Sequence, residues 1–197
     1  MIAVVDYGAG NLRSVENALT SLDASFKVVS NATDIHSAGK IILPGVGHFG
    51  QIARELDARG LRDAIVGRID SGATFLGVCL GMQVLYESSD EATEVAGFGV
   101  LAGSVTQFGP PERVPHMGWN SVSINGPSRL MREIADGEHF YFAHSYFCPV
   151  IASTTAVTAH GVSFSAAIEC DNIFGVQFHP EKSGRAGLRV LQNFVEL

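Results

Sequence analysis

Between residues 74 and 83 the chain reads Thr74-Phe75-Leu76-Gly77-Val78-Cys79-Leu80-Gly81-Met82-Gln83. An apolar run leads directly into a cysteine that has a glycine two positions away on each side. A sharp strand-to-helix turn leaves no room for a side-chain carbon beside a nucleophile, so glycine is needed there. Such an elbow places the sulfur at the positive end of the next helix, which favours the thiolate. The stretch therefore predicts an α/β fold with Cys79 as a nucleophile for acyl transfer.

Strand and helix patterns alternate through the first half of the chain, and strand-like runs dominate after Gly97. Alternation of this kind favours a parallel sheet with helices on both faces. We therefore expect one domain over residues 1–197: an α/β three-layer sandwich around a mostly parallel sheet, with an additional antiparallel strand region in the C-terminal half. Apolar runs predict strands at 2–5, 26–29, 41–43, 74–76, 104–108, 120–124, 139–146, 154–159, 162–169 and 173–178. Helical spacing of apolar residues predicts helices at 11–22, 49–56, 61–69, 82–87 and 186–197.

Three glycine-bearing loops follow predicted parallel strands: residues 8–11, residues 44–47 and the Cys79 turn. Sites in open α/β sheets form beyond the carboxyl ends of the strands, so these loops should share one rim. An oxyanion formed at Cys79 would accept from the N–H of Leu80, the residue after the nucleophile. The Pro44-Gly45-Val46-Gly47 loop is the candidate for a second donor, and an ordinary strand-to-helix turn is the alternative interpretation of that loop.

A second motif, Gln177-Phe178-His179-Pro180-Glu181, supplies a candidate base and carboxylate. His179 would move protons, and Glu181 would accept its other ring N–H and fix its orientation. In an extended segment, residues i and i+2 point the same way, which would set the two side chains next to each other. Cys79, His179 and Glu181 together form a nucleophile, a base and an orienting group.

Composition excludes several other classes of protein. The net charge of −7 without a basic run makes nucleic acid and acidic membrane surfaces poor partners. Three irregularly spaced cysteines give neither a disulfide framework nor a C-x-x-C pair, and no motif suggests a metal or a cofactor, so we expect none. The first residues read as a core strand and lack the basic start of a signal peptide. We expect a cytoplasmic protein, where a reactive thiolate stays reduced.

Residues 77–83 together with His179-Pro180-Glu181 resemble the class I glutamine amidotransferases. The resemblance implies a flavodoxin-like fold and an enzyme that hydrolyses the side-chain amide of glutamine through a glutamyl thioester. It assigns Cys79 as nucleophile, His179 as base and Glu181 as its orienting group. It also implies backbone oxyanion donors at Gly47 and Leu80. The candidates for binding glutamine are Gln83, Glu91, Ser145 and Tyr146.

Four further segments, at residues 5–12, 44–49, 115–120 and 141–146, are similar to the glutaminase subunits of imidazole glycerol phosphate synthases. That similarity implies a heterodimer with a (β/α)₈-barrel cyclase, which receives ammonia and makes imidazole glycerol phosphate and an aminoimidazole carboxamide ribotide in histidine biosynthesis. Because the oxyanion loop and the interface would share one rim, we expect low glutaminase activity without the partner. The implied interface residues are Asn11, Trp119, Asn120, Tyr141 and Lys182.

Three alternatives remain open at this point. The chain could be a glutaminase that serves another synthase, such as the one for pyridoxal phosphate or for anthranilate. It could be a non-catalytic binding subunit on the same fold, although Cys79 and His179 are both present. It could also be a cysteine peptidase or another thiol hydrolase, in which case activity would depend on peptides rather than on free glutamine.

Overall fold

The computed structural model describes residues 1–9 and 11–197; Gly10, in the first predicted rim loop, lies outside the described residues. The helices are α1 (Leu12–Ser21), α2 (Ala32–Ile35), α3 (Phe49–Ala58), α4 (Leu61–Asp70), α5 (Leu80–Gln83) and α6 (Gly184–Glu196). The strands are β1 (Ile2–Val5), β2 (Phe26–Val29), β3 (Lys40–Gly45), β4 (Thr74–Cys79), β5 (Tyr86–Ser89), β6 (Leu101–Gln107), β7 (His116–Ile124), β8 (Glu138–His144), β9 (Tyr146–Phe147), β10 (Thr154–His160), β11 (Val162–Cys170) and β12 (Ile173–Val176).

Nine of the strands form one central sheet in the order β2-β1-β3-β4-β12-β11-β10-β7-β8. The first five run parallel to one another, and each later pair is antiparallel. A separate small sheet joins β5, β6 and β9. The α/β class and the antiparallel region predicted from sequence are confirmed. Cys170 pairs with Ile173, so the turn at 171–172 closes the β11–β12 hairpin.

Two hydrophobic clusters cover the two faces of the central sheet, because successive strand residues point to opposite sides. In β1, Ala3 and Val5 belong to the cluster that α2, α3 and α4 cover, while Ile2 and Val4 belong to the cluster that α1 and α6 cover. This gives the three layers that were expected. Within the described residues, none of the helices combines the length and the apolar character needed to cross a membrane.

The helix predicted at 82–87 is wrong. The helix after Cys79 is the single turn α5, and the chain then continues into β5. The backbone carbonyls of Val84 and Leu85 accept from the N–H groups of Phe98 and Leu101, at 2.6 and 3.0 Å. Tertiary partners thus take the acceptors that a longer helix would have used, and the apolar spacing here reflects burial on all sides.

The strand predicted at 139–146 is divided at Ser145. β8 pairs with β7 in the central sheet, while β9 pairs with β6 in the small one. The segment 32–35, where the sequence pattern predicted neither a helix nor a strand, forms the one-turn helix α2. The carboxyl ends of β1, β3, β4 and β12 all meet at one edge of the sheet, as parallel strands must, and the candidate site lies there.

Candidate active site

Cys79 ends β4 in a strained backbone conformation, with φ at +54°. A positive φ in a residue with a side chain costs about 1–2 kcal/mol, so the surrounding structure must enforce it. A side-chain carbon on Gly77 would lie 2.3 Å from the Gly81 carbonyl oxygen, and one on Gly81 would lie 1.9 Å from the Leu43 carbonyl oxygen. The predicted need for both glycines is confirmed. Because α5 has only four residues, its contribution to the thiolate comes from the N–H groups of one turn.

The side chains of His179 and Glu181 are paired and almost fully buried, with 4% and 2% of their side-chain surfaces exposed. His179 Nδ1 lies 3.0 Å from Glu181 Oε1. The local geometry differs from the extended segment expected from sequence. His179 is extended, but Pro180–Lys182 forms a 3-10 turn, and this turn folds Glu181 back onto the imidazole.

Strand β8 fixes the backbone of this segment. The His179 N–H donates to the Tyr141 carbonyl at 2.9 Å. The buried Ser183 hydroxyl donates to the His179 carbonyl at 2.6 Å and accepts from the Tyr141 N–H at 3.0 Å. The backbone of His179 is therefore held on both sides, by Tyr141 in β8 and by the Ser183 hydroxyl.

Opposing effects set the protonation of His179. Burial disfavours the imidazolium, but the charges of Cys79 and Glu181 and their hydrogen bonds favour it more strongly and raise the pKa of His179 above its ordinary value. Because Glu181 occupies Nδ1, Nε2 is the ring atom left for exchanging a proton with the sulfur or with a leaving group. A protonated imidazole at this position would in turn stabilise negative charge on the sulfur.

Cys79 and His179 open into a pocket of about 260 Å³, large enough for a small amino-acid substrate. A larger and more open groove of about 820 Å³ lies beside Trp119 and α6, away from the cysteine. Cys79 and His179 thus lie in the smaller and more enclosed of these two cavities. The pocket is also lined by Val46, Gly47, Leu80, Gln83, Glu91, Pro115, Met117, Ala143, His144, Ser145, Tyr146 and Lys182.

The two predicted oxyanion donors, Gly47 and Leu80, lie on this pocket. Gly47 has a φ of +99°, a conformation that favours glycine, and Leu80 is the first residue of α5, where backbone N–H groups have no acceptor within the helix. Glu91 accepts from the N–H of Phe49 at 2.7 Å and so holds the start of α3, directly after the Gly47 loop. The arrangement can stabilise negative charge that develops opposite the sulfur.

The family model of the class-I glutamine amidotransferases matches residues 3–197. The chain belongs to this family. Among curated relatives, the imidazole glycerol phosphate synthase subunit HisH of Methanothermobacter thermautotrophicus is 48% identical, over 100% of this chain and 98% of its own. The subunit of the same name from Chlorobium luteolum is 46% identical over 100% of both chains, and that of Methanocaldococcus jannaschii is 43% identical over 100% of both.

Solved amidotransferase structures share the fold at lower identity. One glutamine amidotransferase crystal structure superposes with a TM-score of 0.78 at 20% identity, covering 100% of this chain and 98% of that one. A chain of PurLQS from Thermotoga maritima gives a TM-score of 0.75 at 21% identity, covering 99% and 97%. These likenesses support the fold assignment of the amidotransferase.

All four glutamine-binding candidates of this amidotransferase, Gln83, Glu91, Ser145 and Tyr146, lie on the pocket. Gln83 is buried, and its Nε2 donates to the Tyr146 carbonyl at 2.9 Å. Both hydrogens of this amide nitrogen are used within the protein, so only the Gln83 oxygen is left for a substrate.

The five predicted interface residues differ in their placement. Trp119 is 56% exposed and packs edge-on against Tyr141, whose ring lies 6.0 Å from the Lys182 ammonium group. Asn120 turns inward instead and donates to the Ala159 carbonyl at 2.9 Å. Asn11 immediately precedes α1 and is not among the pocket residues.

Sequence reasoning assigned no role at the amidotransferase site to Met117, Tyr7 and Gln177. Met117, on the rim of the pocket, is 65% exposed. Tyr7 and Val46 contact each other beside the Gly47 loop, and Gln177 contacts the sulfur. A signal existed for Gln177, because it stands two residues before His179 at the end of a buried strand, where alternate side chains share a face.

Proposed function

We propose that this chain is the glutaminase subunit of an imidazole glycerol phosphate synthase and that Cys79, His179 and Glu181 carry its chemistry. The observation that carries the proposal is that His179, paired with the buried Glu181, opens with Cys79 into one pocket. Similarity to relatives of that name over the full chain specifies the synthase. The whole chain, residues 1–197, acts as one amidotransferase domain in this proposal.

The first half of the reaction forms the thioester. The Cys79 thiolate attacks the side-chain amide carbon of glutamine, and the carbonyl oxygen takes the negative charge opposite the N–H groups of Leu80 and Gly47. As the tetrahedral intermediate collapses, the bond from carbon to nitrogen breaks. His179 gives its proton to the departing nitrogen, which leaves as ammonia.

The second half releases glutamate. Neutral His179 takes a proton from water while the water oxygen attacks the thioester carbon. The bond from carbon to sulfur then breaks, glutamate forms, and Cys79 returns as a thiolate beside the protonated imidazole. Glu181 keeps the ring oriented and stabilises its positive charge in both halves.

The rim of the pocket suits a partner that receives the ammonia. Met117 and Trp119 are 65% and 56% exposed on β7, and Met117 and Lys182 line the mouth of the pocket. Large exposed apolar and aromatic side chains are typical anchors of a protein interface. The proposed partner is a (β/α)₈-barrel cyclase, docked over this mouth as a heterodimer in the cytoplasm.

Glutamate production by the chain alone, and with a histidine-pathway cyclase and its nucleotide ligand, tests the proposal. We expect strong stimulation by the cyclase and loss of activity in Cys79→Ala with cyclase binding retained. Stimulation by a different synthase would instead assign the chain to that enzyme. Glutamine hydrolysis retained in Cys79→Ala would overturn the nucleophile assignment.

A paired substitution tests the interface. Trp119→Ala should weaken cyclase binding at least tenfold if Trp119 is an interface anchor. Leu197→Ala is the control, because Leu197 is also partly exposed but lies at the other end of the sheet, where Lys40 at the start of β3 binds the last turn of α6. Equal affinities of both variants and the unaltered chain would exclude Trp119 from the interface.

A further inference from the structure

The Gln177 side chain is fully buried beside the nucleophile. Its amide nitrogen donates to the Cys79 sulfur at 3.6 Å, and its amide oxygen accepts from Gln83 Nε2 at 3.1 Å. The Gln177 backbone N–H donates to the Ala166 carbonyl at 2.9 Å, just beyond β12. Backbone and side chain are thus both held, and one side-chain donor points at the sulfur.

The direction of this amide is dictated by its neighbours. The Tyr146 carbonyl can only accept, so the Gln83 group that faces it at 2.9 Å must be the NH₂. The second hydrogen of that NH₂ points at Gln177, so the oxygen of Gln177 must face Gln83. The NH₂ of Gln177 is then left for the Cys79 sulfur.

The Tyr146 carbonyl is itself fixed by a buried histidine pair. His144 Nδ1 lies 2.8 Å from this carbonyl and must donate to it, so Nε2 of the neutral ring is an acceptor. His116 Nδ1, 3.1 Å from that Nε2, is then the donor. Burial lowers the pKa of His144 to about 3 and that of His116 to about 4, in agreement with two neutral rings. The carbonyl that orients Gln83 and Gln177 therefore has a rigid support.

A donor at the sulfur stabilises the thiolate more than the thiol, because hydrogen bonds to a charged acceptor are stronger. It also restricts where the sulfur can lie relative to His179. We propose that Gln177 is a positioning residue that holds the Cys79 sulfur as a thiolate in the attacking position. This inference rests on the proposed function of Cys79 as the nucleophile. Gln83, on the wall of the glutamine pocket, connects the substrate site to this donor.

The pH dependence of Cys79 alkylation by iodoacetamide, followed by mass spectrometry of the Cys79 peptide, tests the proposal on the full chain. Gln177→Met keeps the volume and removes the donor, so the alkylation midpoint should rise by about one pH unit. The kcat for glutamine should fall about tenfold at neutral pH, with a smaller change in KM. Gln177→Glu keeps an acceptor for Gln83 but presents a negative charge to the sulfur, and its midpoint should rise further.

A matched control separates this role from ordinary structural support. Asn193 is another buried amide, and its nitrogen donates to the carbonyls of Leu130 and Arg132, away from the pocket. Asn193→Leu should lower the free energy of unfolding and leave the alkylation midpoint unchanged. If Gln177→Met fails to fold, Gln177→Asn serves instead, because its shorter amide cannot reach both Gln83 and the sulfur.

The outcomes distinguish the two proposals. An unchanged alkylation midpoint in folded Gln177→Met, or in Gln177→Asn if that variant is used, would overturn the role of Gln177 while Cys79→Ala still abolishes activity. Retained activity in Cys79→Ala would instead overturn the proposed function from which this inference starts. A raised midpoint with a lowered kcat supports the positioning role.

Discussion

The Tyr7 hydroxyl binds both backbone polar groups of Val46: it donates to the carbonyl at 3.3 Å and accepts from the N–H at 3.2 Å. Burial raises the pKa of Tyr7 to about 12, so the hydroxyl is protonated at neutral pH and can make both bonds. Val46 precedes Gly47 on the wall of the active pocket. Tyr7 therefore fixes both backbone polar groups of Val46 and restrains the loop that carries the proposed Gly47 donor.

Replacing Tyr7 by phenylalanine should raise the glutaminase kcat of the chain without its partner. Phenylalanine would lose both bonds to Val46, and at about 1 kcal/mol net for each neutral hydrogen bond this corresponds to roughly a thirtyfold change in the loop equilibrium. Steady-state glutamate production in the absence of the cyclase measures the effect. The contact between Tyr7 and Val46 would then explain the low activity that we expect for the chain without its partner.

Tyr86→Phe is the control for this substitution, because Tyr86 is equally buried but its hydroxyl makes no hydrogen bond within the described residues. We expect its kcat to match that of the unaltered chain. If Tyr7→Phe were equally without effect, or were less active, the contact between Tyr7 and Val46 would not restrain the reaction.

Glu181→Gln should lower kcat by about 10²–10⁴, because the amide keeps the shape but no longer stabilises the imidazolium. The pKa of His179, which Glu181 helps to raise, should fall in the variant. Steady-state kinetics and NMR titration of the histidine ring protons measure the two effects. Glu94→Gln, at an exposed surface position, should change neither. A normal kcat in Glu181→Gln would remove Glu181 from the catalytic group.

The buried histidine pair should make the fold sensitive to acid. The folded-state pKa values of His116 and His144, about 4 and 3, lie below the ordinary 6.5. Between pH 6.5 and 4 these two histidines therefore bind protons in the unfolded chain that they do not bind in the folded chain. The free energy of unfolding should therefore decrease as the pH falls below 6.5, by up to about 1.4 kcal/mol per pH unit for each histidine.

His116→Gln tests this pH dependence, because glutamine does not titrate. The difference in unfolding free energy between pH 7 and pH 4.5, from urea titrations, should be smaller in His116→Gln than in the unaltered chain. His36→Gln, at an exposed position, should leave that difference as it is. An undiminished difference in His116→Gln would show that His116 is protonated in the folded state.

Two glycine substitutions should have opposite effects on stability. Gly81→Ala would set its side-chain carbon 1.9 Å from the Leu43 carbonyl oxygen, which belongs to the backbone of β3 and cannot turn aside as a flexible side chain could. We expect a loss of more than about 3 kcal/mol or no folded protein. Gly67→Ala lies within α4 with open space around it, and should stabilise by about 0.5–1 kcal/mol. Urea unfolding of both variants checks the contrast, and a tolerated Gly81→Ala would contradict the account of the elbow.

The sequence pattern was sufficient to predict the structure where steric contacts between neighbouring residues determine it. The apolar runs located β1 and β2 at the bounds the structure has, and the glycines around Cys79 predicted its turn. Local pattern failed at residues 82–87, where backbone partners at 98 and 101 replace the helix, and at His179-Pro180-Glu181, where a 3-10 turn replaces the extended geometry.

By itself the sequence determined the α/β class, and it predicted the rim that carries the candidate site and the candidates Cys79, His179 and Glu181, because spacing along one strand or turn limits which side chains can meet. Only the tertiary structure decided that Tyr7 reaches Val46 across 39 residues and that Gln177 reaches Cys79 across 98. Such contacts depend on which strands lie next to each other in the sheet and on which buried donors find acceptors. These contacts depend on the packing of the whole domain, and the spacing of residues along the chain does not predict them.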